Sequence, residues 1–100
     1  MDLSLAERGT HQGLPNNPDA EANVLSAMLL SNEVVEEALT ELLPDDFYRP
    51  MNKALFETMH DMYDRSLPID SITLIDYLNS KNKLQEVGGE AYILELMGQT

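Results

Sequence analysis

Gly88 and Gly89 are the only adjacent glycines in the chain, and they are the first place to look for phosphate chemistry. A P-loop needs a glycine-rich turn followed by Lys and then Ser or Thr, so that backbone amides and an ammonium hold the phosphates. Here Glu90 follows, and its carboxylate would repel a phosphate. His60 and Asp64 are four residues apart, a spacing that suits two metal ligands on one helix. The other histidine, His11, lies far away in the N-terminal segment, so a solvated pair is the plainer reading. Glu33, Glu37 and Glu41 repeat at every fourth position and read as a hydrated acidic face, not as a carboxylate cluster for acid–base work. Neither histidine is set in a Ser and Asp relay, which leaves a hydrolase triad unsupported. With no cysteine there is no thiolate nucleophile, zinc thiolate or disulfide. The expectation is that no residue of this chain is catalytic, cofactor-binding or metal-ligating.

Composition narrows the partners. One hundred residues suffice for one domain, which at this size buries roughly 60 to 65% of the surface its unfolded chain exposes. Eighteen Asp and Glu against six Lys and Arg give a net charge of -12, so contact with a polyphosphate backbone is opposed electrostatically. The absence of cysteine fits a reducing compartment. No apolar run approaches the ~18 residues that would cross a membrane, and an early Asp2 with no apolar h-region argues against a signal peptide. A cytoplasmic protein without membrane contact is expected.

The elements that position these residues follow from breakers and periodicity. Residues 1–17 collect Gly9, Gly13, Pro15, Asn16 and Asn17 and read as a flexible lead-in. Asn17 can cap a helix that starts at Pro18, with Asp19 and Glu21 complementing its dipole and with Ala20, Val24, Leu25, Met28 and Leu29 as its buried stripe. Asn32 is expected to cap a second helix, with Val35, Ala38, Leu39 and Leu42 on its apolar face. Pro44 ends it near Leu42. Asp45 and Asp46 sit in the turn, and the aromatics Phe47 and Tyr48 are expected to anchor it between helices. Pro50 opens the longest helix, with Leu55, Phe56, Met59, Met62 and Tyr63 inward and Lys53, Glu57, Asp61 and Arg65 outward. Asp70 can cap a fourth helix carrying Ile72, Leu74, Ile75 and Leu78. After a short turn at Leu84 to Val87 and a bend at Gly88 and Gly89, a last helix is expected over Ala91 to Met97, closed by Gly98. Met28, Met59, Met62 and Met97 fall at apolar positions, where flexible packing is the plain reading and an adaptable partner groove the sharper one. Nothing alternates with period two. The predicted class is all-α: a compact orthogonal bundle of five to six helices over residues 18–98.

The ordered series Phe47-Tyr48-Arg49-Pro50, Pro68-Ile69-Asp70 and Gly88-Gly89-Glu90-Ala91-Tyr92, preceded by Pro18-Asp19-Ala20-Glu21-Ala22, resembles the N-terminal domain of the DnaB-type replicative DNA helicases from about Leu14 to Met97. Asn52 departs from the family, which often has histidine there. The resemblance implies a non-catalytic collar domain that pairs with a neighbouring subunit in a hexamer and docks the DnaG-type primase and a helicase loader. It also implies a helical hairpin and an ATPase motor beyond residue 100; ATP and Mg2+ belong to that motor, and DNA is contacted mainly there. Asp70, Glu90 and Tyr92 fall in the matched segments and are the expected partner-contact residues. Two other classes compete on composition alone: a free-standing acidic helical adaptor or DNA mimic, and a small metal-assisted enzyme. The carboxylates are spread over several faces, which disfavours the mimic.

Overall fold

The computed structural model describes residues 17–98. The fold is five α-helices: α1 (Pro18–Leu30), α2 (Asn32–Glu41), α3 (Pro50–Asp64), α4 (Ser71–Ser80) and α5 (Gly89–Leu96). Single 3-10 turns over Pro44–Asp46 and Gln85–Val87 connect α2 to α3 and α4 to α5. Among the described residues there is no strand, so the all-α class expected from the sequence is the observed one. The expected lead-in lies outside the described residues apart from Asn17.

Local chemistry accounts for most helix boundaries. Asn17 Oδ1 accepts from the Asp19 N–H at 2.8 Å and opens α1, with Pro18 at its first position. Asp70 Oδ1 accepts from the Thr73 N–H at 2.8 Å and opens α4. The cap of α2 is a correction: it is Ser31, not Asn32, whose side chain accepts the Val34 N–H. Ser31 also gives its own N–H to Ala27 O at 3.0 Å, so one residue closes α1 and opens α2. Asp46 folds back to accept the Leu43 N–H at 2.8 Å, which fixes the turn after α2. At the other end α5 begins at Gly89, two residues earlier than the sequence indicated. Gly88, at φ +96, makes the left-handed bend, and Gly89 already carries the first helical turn. Gly98 sits just past α5 at φ +81, the expected closing position.

The core lies where α1, α3 and α5 meet, with α2 packed on α1 and α4 on α5. Leu25, Met28, Leu55, Phe56, Met59, Met62, Leu74, Leu78 and Ile93 are fully or almost fully buried, each worth about 1.5 to 3 kcal/mol of hydrophobic transfer. Met28, Met59 and Met62 are thus packing residues. Phe47 is buried and its ring lies 4.8 Å from that of Phe56, centroid to centroid, so it does anchor the second connection. Tyr48 does not: it is 62% exposed. Consecutive residues on an extended connector point to opposite sides, and only one of the pair can enter the core. Tyr63 and Ile72, expected inside, are 43% and 80% exposed. Ile72 is two residues from Leu74, about 200° around the helix, and so faces away from the Leu74 and Leu78 stripe.

Candidate functional site

The burial of Glu21 was not anticipated. Four residues before Leu25, it shares the inward stripe of α1 and is 1% exposed instead of lying at the surface complementing the helix dipole. Glu21 Oε2 accepts the Tyr48 N–H at 2.7 Å, and Oε1 accepts the Arg49 N–H at 3.4 Å and the Asn52 side-chain N–H at 2.8 Å. The Asn52 amide, fully buried, is oriented by that contact, and its Oδ1 accepts the Tyr92 hydroxyl at 2.6 Å. One carboxylate therefore ties α1 to the connector before α3, to α3 itself and, through Asn52, to α5. Every polar group in the set has a partner, the condition under which a buried network stabilises. The sequence held a signal for it: a carboxylate in register with an apolar stripe, and Asn52 at the position of a frequent family histidine.

Of the three expected partner-contact residues, Tyr92 is half-buried and belongs to this network. Burial pushes its phenol above its ordinary pKa near 10, opposed by the nearby Arg49 charge. Asp70 is exposed and engaged as the α4 cap, and Glu90 is exposed in the first turn of α5. Among the described residues no hydrogen bond or ion pair connects Asp70 with Glu90 or Tyr92. Gly88 packs against Tyr92: a Cβ there would come within 3.0 Å of Tyr92 Cβ and 3.2 Å of Met51 Sδ.

A second polar group lies at the C-terminal ends of α3 and α4. The Tyr77 hydroxyl donates to the Asp61 carboxylate, Arg65 Nε lies 3.2 Å from Asp61 Oδ1, and Lys81 sits 5.1 Å from the centre of the Tyr77 ring. The Tyr77 bond first, then Arg65, holds the Asp61 carboxyl below its usual range. His60 Nε2 is 3.7 Å from Asp64, and among the described residues no group of three or more His, Asp or Glu is placed to hold a metal.

The family described as DnaB-like helicase N terminal domain matches residues 13–100. The chain belongs to that family. Over 86 residues it is 36% identical to a probable replicative DNA helicase of Trieres chinensis, covering 86% of this chain and 19% of that protein. It is 34% identical over 83 residues to the replicative DNA helicase DnaB of Mycobacterium leprae, covering 83% of this chain and 14% of that protein. The crystal structure of the N-terminal domain of DnaB helicase from Mycobacterium tuberculosis matches the fold with a TM-score of 0.79 at 34% identity, over 86% of this chain and 62% of that one. The chain thus spans less than a fifth of the length of these curated helicases. For a DnaB-like N-terminal domain the Glu21, Asn52 and Tyr92 network is an internal brace, and no helix among its described residues is long and apolar enough to cross a membrane.

Proposed function

We propose that this domain is the non-catalytic collar of a hexameric replicative DNA helicase, pairing subunits and docking a DnaG-type primase and a helicase loader in the cytoplasm. The observation that carries the reading is the family match over residues 13–100, together with the fold match to a DnaB N-terminal domain. Residues 18–98 form the docking bundle in this reading. A helical hairpin and an ATP- and Mg2+-dependent motor would follow in the longer protein, where DNA is chiefly engaged. Asp70, Glu90 and Tyr92 are the proposed contact residues.

The test is a titration of primase C-terminal domain against full-length helicase. Tyr92→Ala should weaken association by about 1 kcal/mol or more, as loss of an interface aromatic commonly does, while ATP hydrolysis is unchanged. Asp70→Asn keeps an effective cap and removes the charge, so a loss of affinity there reports recognition and not folding. Parental affinity in both variants would remove these residues from the docking face.

A further inference from the structure

The hydrogen bonds through Asn52 run in one direction. Both Glu21 oxygens meet only N–H donors, so the carboxylate is the terminal acceptor. Asn52 must then turn its amide N–H towards Glu21 and its oxygen towards Tyr92, and the Tyr92 proton is committed inward. What remains on the phenol oxygen is acceptor capacity alone. Among the described residues no donor reaches it. Tyr92 also lines a cleft of about 200 Å³ between α1 and α5, with Ala22, Asn23, Ser26, Glu95 and Leu96. The exposed Glu95 carboxylate makes no ion pair among the described residues, and its charge acts on Tyr92. Arg49 acts on Tyr92 from the connector side and does not line the cleft.

We propose that this cleft receives a lysine or arginine side chain of a protein partner. The Tyr92 oxygen accepts its hydrogen bond, Glu95 supplies the opposing charge, and the buried Glu21 sets which way the Tyr92 proton points. The inference rests on reading Tyr92 as a partner residue and adds the chemistry of what it meets. An acidic or nucleic-acid ligand is disfavoured, since its negative charge would face Glu95 and a chain of net charge -12. Glu21 is a positioning residue here. A glutamine in its place offers an N–H to Asn52, which can turn its amide over, donate to the Tyr92 oxygen and release the phenol proton outward.

The probe is primase C-terminal domain titrated against full-length helicase at two salt concentrations. Glu95→Lys should weaken binding by roughly tenfold or more, with the difference shrinking as salt screens it, and Glu33→Lys on α2, with the same change of net charge, should matter far less. Glu21→Gln, which cannot reach a partner, should weaken binding by roughly threefold with helicity retained. Glu95→Lys remains decisive if the Glu21 variant folds poorly. Equal loss from Glu95→Lys and Glu33→Lys, or tighter binding by Glu95→Lys, overturns the cleft while leaving the collar reading intact. A folded Glu21→Gln variant with parental affinity overturns the positioning role. A parent that fails to bind the probe at all sinks the collar reading and the cleft together.

Discussion

Taking away the Glu21 side chain would leave the Tyr48 and Arg49 N–H groups and the Asn52 amide without their acceptor. Water can relieve the two backbone donors near the surface, but the Asn52 amide is fully buried. Glu21→Ala should therefore cost about 2 to 4 kcal/mol and lower the melting temperature by roughly 10 °C or more, read by circular dichroism. A midpoint within a few degrees of the parent would mean that the network contributes nothing net. Phe47→Ala, which empties the space beside Phe56, should cost about 3 to 5 kcal/mol in the same assay. Tyr92 adds a pH signature. Its folded pKa is raised, so the native state holds this proton more tightly than the unfolded chain does. The resulting stability is fully present below pH 10 and is lost as pH rises through the folded value. Tyr92→Phe should flatten the fall in stability above pH 10; an unchanged slope would assign that fall to other groups. At this scale the sequence was least legible. Helical spacing put Glu21 in line with Leu25, yet a first-turn glutamate has a surface explanation in the helix dipole, and only the fold shows three donors waiting inside.

Helix boundaries were far more legible, because caps and breakers act through neighbours in sequence. Asn17, Pro18, Pro50, Asp70 and Gly98 each stand where local chemistry puts them. The misses have local causes too. Ser31 and Asn32 are both good capping residues, and the closing bond of α1 to Ser31 selects between them. Ile72 and Tyr63 are apolar or aromatic residues one or two positions off a buried stripe, and Tyr63 instead reaches Glu36 on α2 at 3.3 Å. Gly88 and Gly98 offer a clean comparison at the two ends of α5. Both have positive φ, but a Cβ on Gly98 meets nothing within 4 Å, whereas one on Gly88 strikes Tyr92 and Met51. Gly98→Ala should cost about 1 kcal/mol from the backbone alone, and Gly88→Ala roughly 1 to 2 kcal/mol more. Equal losses in chemical denaturation would show that Tyr92 and Met51 yield freely and that Gly88 is required only for its φ.

For the whole molecule, charge and family point the same way. A net charge of -12 opposes association with a phosphate backbone, so the chain should show no measurable binding to single-stranded oligonucleotides at physiological salt. A salt-sensitive micromolar complex would place DNA contact in the collar itself. The class of fold and the family were readable from the order of short boundary motifs, each unspecific alone. The surface a partner sees was not, since it depends on which side chains the packing turns outward. The most direct test of the collar reading is to delete residues 17–98 from the full-length helicase and measure ATP hydrolysis and primase binding on the same preparation. The account predicts that hydrolysis persists while primase binding is lost. Primase bound with parental affinity by the truncated helicase would contradict it.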